Sequence, residues 1–392
     1  MFGITSFGNA VQCYEDLESY DDLETPERRI AFFLPTLAGG GAQRVALNLL
    51  KGMREREIAL DLVVAGTDGP YLDQIPPGVR VVNLGTGRVM AAIPALVEYL
   101  RETKPIALLS HMNHANIAAI IARELARIES NIKTKLVVVE HNTLSTSKAR
   151  LQRGKLVPPL MKLLYPRADC IIGVSEGVSI DLDTQMGFKL GTSQTVYNPV
   201  VDRELIAKSQ APIDHPWFEP GNPPVFLAVG RLSDQKDFAN LIAAFAIVRQ
   251  HQPARLLILG EGENRSQLEA QIAQLGIAAD VSLPGFVSNP YAYMHRATAF
   301  VLSSRCEGLP TVLIEAMACG CAVISTDCPS GPQEILAGGK YGLLVPIENS
   351  TALADAMLQT LNHPIDRSIS IDRGRYFSYD RAVDEYLRLL QN

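Results

Sequence analysis

The chain is poor in everything that would mark a secreted, membrane-spanning or nucleic-acid-binding protein. Its six cysteines (Cys13, Cys170, Cys306, Cys319, Cys321 and Cys328) form no pair of Cys-x-x-Cys knuckles, so reduced thiols rather than a disulfide or zinc framework are expected. Lys and Arg number 36 against 42 Asp and Glu, a net charge of −6, which lacks the basic footprint of a nucleic-acid binder. No apolar run approaches the roughly 18 residues that cross a bilayer. The first residues lack the charged start and apolar stretch of a signal peptide, so a cytoplasmic chain is expected. Aromatic residues make up 6% of the chain, with a single Trp.

Charge is unevenly distributed. Residues 14–27, "YEDLESYDDLETPE", hold seven acids and no base, which reads as a solvated acidic leader over 1–27. From Lys133 to Arg167 eight Lys or Arg face the single acid Glu140. Within that stretch "SKARLQRGKLVPPLMKLLYPR" interleaves cations with leucines, as a segment lying on anionic lipid does; Pro158 and Pro159 break any long helix through it. The expectation is peripheral membrane contact through 148–167, against the rival reading of a solvated face over a core-packing helix.

Short apolar runs alternate with helical patterns along the chain: "RIAFFL", "LDLVVAG", "ALLSHM", "KLVVVEH" and "CIIGVS", then "VFLAVGR", "RLLILGEG", "VSLPGF", "TAFVLSS", "AVISTD" and "GLLVP". Such alternation predicts doubly wound parallel α/β sheets. "APIDHPWFEPGNPP" (211–224), with five prolines and no periodicity, divides it. The reading is therefore two Rossmann-like domains, 28–210 and 225–372, joined by a 211–224 linker. A C-terminal helix in 373–392 can pack on either domain. At 392 residues two cores are the default. Ligands of open α/β sheets bind beyond the carboxyl ends of the strands, so two such sheets facing each other place the chemistry in an interdomain cleft.

Dinucleotide binding is disfavoured, because Arg265 and Arg44 stand where "GEGENR" and "GGGAQR" would need a third glycine; neither is a P-loop. "GRLSDQK" puts Arg231 and Lys236 on one loop after a strand, a planar fork and a point charge suited to a diphosphate. In "RCEGLPTVLIEAMACG" a helix is expected from Pro310 to Cys319, ended by Gly320. The free N–H groups around Gly308, Leu309 and Thr311 then form an anion site, with Pro310 contributing none. Glu315 lies about 7 Å further along the axis, at ~1.5 Å per residue. With phosphates at the helix tip, Glu315 reaches ribose hydroxyls and Glu307 reaches a group carried on the far phosphate; this spacing fits a nucleotide sugar. "DLD" (Asp181–Asp183) resembles a metal-binding Asp-x-Asp but falls within a helical pattern, and no metal site is assigned to it or to "CGC". "SHMNHAN" offers His111, His114 and Asn116 at a strand end as acceptor-side residues; their spacing matches no zinc pattern.

Taken together, "EGLPTVLIE", "GRLSDQK", "LGEGENR", "LPGF", "GPQEIL", "GLLVP", "GGGAQRVALNL" and "NPVVD" resemble family 4 glycosyltransferases of the GT-B fold, over about residues 28–390. The resemblance implies that Arg231 and Lys236 stabilise the departing diphosphate, Glu315 holds the ribose and Glu307 the donor sugar. It implies that Gly40 and Gly41 let the N-terminal loop approach the donor, and that Phe286 and Val287 lie beside the base. His141 in "VVVEHNTLS" would contact the sugar at the reaction centre, with an ordinary loop histidine as the rival. Members are retaining and use no catalytic metal or other cofactor, so stabilisation of departing charge is the protein's main contribution. The implied substrates are a nucleoside diphosphate sugar, UDP favoured, and a saccharide acceptor that is polyprenyl-diphosphate-linked or soluble. A binding protein without turnover and a sugar-nucleotide epimerase are the readings from other classes.

Overall fold

The computed structural model describes residues 29–38, 40–145, 157–363 and 366–391. The acidic leader 1–27, Gly39 and residues 148–156 of the basic segment lie outside the described residues. The first sheet contains β1 (Ile30–Leu34), β2 (Leu60–Val64), β3 (Arg80–Asn83), β4 (Ala107–His111), β5 (Lys135–Glu140), β6 (Cys170–Gly173) and β7 (Gln194–Thr195). The second contains β8 (Val225–Val229), β9 (Arg255–Leu259), β10 (Val281–Gly285), β11 (Ala299–Leu302), β12 (Ala322–Thr326) and β13 (Leu343–Val345). Their orders are β3-β2-β1-β4-β5-β6-β7 and β10-β9-β8-β11-β12-β13, with every pairing parallel. This is the GT-B architecture of two doubly wound α/β domains.

The central strands are continuous apolar runs, as strands covered by helices on both faces must be: all five residues of β1, β2 and β4 are buried. β3 and β7 escape a reading by apolar runs. β3 is an edge strand with three of four residues exposed, and β7 is two residues long. Both sheets reverse direction of growth next to their first strand, between β1 and β4 and between β8 and β11, the switch points at which ligands of such sheets bind.

The chain crosses between domains twice, side by side. Val200 and Val201 donate to the Phe377 carbonyl, Tyr379 donates to Val201, and Val201 bridges Ser378. The helix Tyr379–Gln391 then packs on the first domain's helix Gly41–Arg54, where Val383 fills the space left by Gly52 and Lys135 Nζ donates to the Leu390 carbonyl. The 211–224 stretch is no bare tether. His215 and Phe218 pack edge-on against Tyr293, and Arg255 lies over Trp217, so it is fastened to the second domain.

Candidate active site

The second domain builds its half of the cleft from loops that leave the carboxyl ends of β8 and β11. After β8 the chain turns through Gly230 to Asp237. Lys236 folds back so that its stem lies against Gly230, where a Cβ would sit 3.2 Å from Cε. Its backbone is anchored from below, with Ser303 Oγ donating 2.7 Å to the Lys236 carbonyl. The ammonium then meets Glu307, Nζ to Oε1 at 2.7 Å, in a site where the Lys and Glu side chains are 17% and 9% exposed. Ser304 Oγ donates 2.6 Å to the same carboxylate oxygen. Arg231, five residues earlier, stays exposed beside Glu263, Nε to Oε2 at 3.0 Å. The Gly260-x-Gly262 pair after β9 exists for this loop. A Cβ at 260 would lie 1.9 Å from the Gly230 carbonyl oxygen and one at 262 would lie 2.3 Å from that of Leu232. That close approach explains the two glycines without dinucleotide binding.

The helix after β11 runs Thr311–Ala318, so Pro310 is its N-cap rather than its first helical residue. Glu315 is half-buried within it. Burial pushes its carboxyl up to about 7, against the opposing pull of the Arg44 guanidinium, a Thr311 hydrogen bond and the Lys236 ammonium. Gly308 and Leu309 are buried, and Thr311 is half-buried. Phe286 stands out after β10 with 81% of its surface exposed, next to the half-buried Val287.

The first domain contributes the ends of β1, β4 and β5. Gly40, at φ 150°, precedes the helix Gly41–Arg54 in a conformation that favours glycine; at Gly41 a Cβ would meet nothing within 4 Å. Arg44 lies over the Tyr71 ring at 4.5 Å and sends its charge toward Glu315. The sequence marks Arg44 only as a missing glycine; its partner lies in the other domain. His141 follows β5, and its Nε2 is 3.0 Å from His111 Nδ1. Burial holds His141 down at about 4 and His111 well below the usual histidine range.

Two acceptor-side expectations are corrected. His111 is fully buried, stacked on Phe32 with ring centroids 6.0 Å apart, and touches His141 rather than the cleft. Asn116 is fully buried too, and its amide donates to the Val139 carbonyl, to Glu140 Oε1 at 3.0 Å and to the Tyr165 hydroxyl. Its amide nitrogen is thus committed to the core rather than turned to the cleft, and its buried Oδ1 finds no partner among the described residues. His114 is half-buried beside Asn113. Asp183 is a fold residue. It is 1% exposed and accepts from the backbone of Gly191, Thr192 and Ser193 and from Ser193 Oγ, so its oxygens are engaged by the chain itself.

Contacts between the domains were not legible. Glu334 accepts from the N–H groups of Glu176 and Gly177, each at 2.7 Å, and from the Tyr197 hydroxyl. It thereby caps a helix of the other domain with a carboxylate. Ser175 and Ser330, 2.8 Å apart, both donate to the Gly308 carbonyl. Gly308 itself lies so close to the first domain that a Cβ would be 2.1 Å from the His141 carbonyl oxygen. The sequence holds Glu334 within "GPQEIL", but nothing in it names the helix that Glu334 caps.

Two family profiles divide the chain. "Glycosyltransferase Family 4" matches residues 39–204 and "Glycosyl transferases group 1" matches residues 210–376. The chain is 35% identical over 243 residues to the Campylobacter jejuni N-acetylgalactosamine-N,N'-diacetylbacillosaminyl-diphospho-undecaprenol 4-alpha-N-acetylgalactosaminyltransferase, covering 62% of this chain and 63% of that one. It is 26% identical over 381 residues to a second C. jejuni protein, the GalNAc-alpha-(1->4)-GalNAc-alpha-(1->3)-diNAcBac-PP-undecaprenol alpha-1,4-N-acetyl-D-galactosaminyltransferase, with 92% and 98% covered. The match thus spans less than two thirds of the first relative and nearly all of the second. Among solved structures, the Anabaena protein HepE in complex with UDP and glucose superposes with a TM-score of 0.74 at 20% identity, covering 93% of this chain and 99% of that one. The lipopolysaccharide outer core galactosyltransferase WaaB superposes with a TM-score of 0.71 at 22% identity and the same coverage. The two profiles in tandem and the two facing sheets agree: the chain belongs to glycosyltransferase family 4, with the GT-B fold.

Proposed function

We propose that this chain is a retaining, metal-independent transferase that moves a hexose or N-acetylhexosamine from a nucleoside diphosphate sugar, UDP favoured, to a polyprenyl-diphosphate-linked saccharide. The observation that carries the reading is the Lys236–Glu307 pair, 2.7 Å apart on loops from β8 and β11 and directly before the N-terminus of the helix bearing Glu315. A diphosphate at that helix end meets backbone N–H groups and the Lys236 ammonium together. As the bond to the sugar breaks, charge builds on the phosphate oxygen, and Lys236 is already held in place by Ser303 and Glu307 to receive it. Glu307 has one oxygen held by Lys236 and Ser304, which turns the other to the sugar hydroxyls. Glu315, deeper in the helix, takes the ribose. Arg231, exposed and only loosely held by Glu263, swings to the diphosphate from the loop edge.

Support for the acceptor class comes from the names of the two Campylobacter relatives, both of which act on undecaprenyl-linked glycans and transfer N-acetylgalactosamine. Among the described residues no helix is long and apolar enough to cross a membrane. Contact with a lipid-borne acceptor would fall to the surface around the helix Val157–Leu164, where Leu163 is 64% exposed beside Lys162.

Calorimetry with UDP, GDP and ADP on the wild type and Arg231→Ala tests the donor half. One nucleotide should bind, and the mutant should weaken it; no binding to any of the three by folded protein would overturn the reading. Turnover with undecaprenyl-linked and detergent-free soluble saccharides tests the acceptor. Equal turnover of both would replace the lipid-linked assignment by a soluble one.

A further inference from the structure

We propose that His111 is a positioning residue that fixes the tautomer of His141, so that His141 faces the reaction as a hydrogen-bond donor through Nδ1 and never as a base. The proposal relies on the site described above for what His141 meets, but the tautomer itself follows from the geometry of the two rings. His111 Nδ1 and His141 Nε2 are 3.0 Å apart, and the rings lie 30° from parallel with centroids 5.2 Å apart. One nitrogen of that contact carries a proton and the other does not.

His111 is clamped. It ends β4, paired with Val139 of β5; it is fully buried; and it stacks on Phe32 with planes 11° apart. The next residue, Met112, sits at φ 82°, a conformation rare for a side-chain-bearing residue, and from there the chain enters the helix Asn113–Ser130. The stack fixes the plane of the ring, and the contact with His141 sets Nδ1 toward that residue and Nε2 on the far side. That nitrogen, Nε2, is buried and finds no partner among the described residues.

The two tautomers differ in what they strand there. If His141 donates, His111 must carry its proton on Nε2 and bury an N–H without an acceptor. If His111 donates from Nδ1, its Nε2 is a bare lone pair. Buried orphan N–H groups are rarer than under-used acceptors, which selects the second arrangement. His141 then has its Nε2 lone pair occupied, and its single proton on Nδ1. Burial keeps both rings neutral, so no third state competes. In that state His141 can donate to a sugar oxygen but has no lone pair with which to take a proton from an acceptor hydroxyl. The proton released on transfer must go to another group, such as the departing phosphate oxygen.

The test reads the nitrogens directly. Histidine-selective 15N labelling of the full chain, with His141→Gln to assign its signals among the seven histidines, gives the protonation pattern in long-range 1H–15N spectra. The expected result is a pyrrole-like Nδ1 and a pyridine-like Nε2 on His141, with or without UDP. A protonated Nε2 on His141 overturns the proposal whatever the donor proves to be. His111→Phe keeps the stacking shape and removes the donor. It should lower kcat about tenfold, less than the ~10² lost when a preorganised donor is deleted outright, with KM for the donor little changed. His111→Asn retains an N–H near the Nδ1 position and should recover most of that loss. Equal damage by Phe and Asn at unchanged melting temperature would make His111 a packing residue and sink the positioning role.

Discussion

Glu140 and Glu315 are both pushed up to about 7 by burial, yet they belong to different chemistry. Glu140 ends β5 in the first domain, 4% exposed, and its partners are the Tyr165 hydroxyl and the Asn116 amide. Among the described residues no cation lies with them. Glu315 sits within a helix that opens on the cleft, half-buried, with the charges of Arg44 and Lys236 working against the burial. A raised carboxyl alone therefore does not locate a site. What separates the two is whether the surroundings leave an oxygen able to meet a ligand, and whether cations from both domains converge on it. Glu140, at a strand end of the first domain, is turned inward to the fold, whereas Glu315 of the second domain stays half-exposed toward the cleft.

That contrast can be broken at several points. The largest effect should come from Lys236→Ala, which removes the cation from the outward-facing half; kcat/KM should fall by at least about tenfold and up to ~10³, and near-normal turnover in steady-state assays would refute its role. Asp183→Ala tests the inward-facing half. A carboxylate to which the sequence reading assigns no metal is buried under four hydrogen bonds, so the variant should lose roughly 2–3 kcal/mol in urea unfolding. Its folded fraction should retain full activity that EDTA does not touch; a loss restored by added metal would reinstate the Asp-x-Asp reading. Tyr165→Phe, which strips Glu140 of its hydroxyl donor, should cost about 1–2 kcal/mol of stability and leave the nucleotide affinity unchanged.

Glu315→Gln should do the opposite, weakening nucleotide binding about tenfold with little change in melting temperature. pH sharpens this last comparison. Glu315 must be ionised to accept two hydroxyls, so wild-type affinity for nucleotide should fall as pH drops through about 7, and the Gln variant should show a flat profile by calorimetry. Stability has the reverse sign. Both glutamates hold their protons in the folded chain between the ordinary 4.5 and about 7, where the unfolded chain has released them. Their contribution is best at low pH and declines as pH rises across that window. Glu140→Gln should reduce the decline seen in melting temperature between pH 5 and pH 7.5.

What was legible in the sequence follows the same division. Buried parallel strands are apolar runs and can be read directly, while β3 and β7 lie at an edge and have no run to read. Lys236, Glu307 and Glu315 stand in local patterns, a loop after a strand and the opening of a helix, so the sequence can nominate them together; the structure sets Lys236 and Glu307 2.7 Å apart, directly before the helix that bears Glu315. Asn116 was misplaced because its position near the start of a helix says nothing of the direction its amide takes; Tyr165 and Glu140 draw it inward. The Arg44–Glu315 convergence, the His111–His141 contact and the Glu334 cap join residues far apart in the chain. Glu334 meets Glu176 across 158 residues, and no spacing rule links the two.

Gly308 has a consequence for how such a protein can be recombined. Its backbone rests on the carbonyl of His141, with no room for even a methyl group between them, and its own carbonyl is held by Ser175 and Ser330. The loop that precedes the Glu315 helix and the strand that presents the histidine are thus moulded on each other, although they belong to different halves of the chain. A chimera cut at the 205–224 junction inherits two intact halves and a mismatched seam. A graft that carries residues 140–143 and 173–177 together with the second domain keeps the seam.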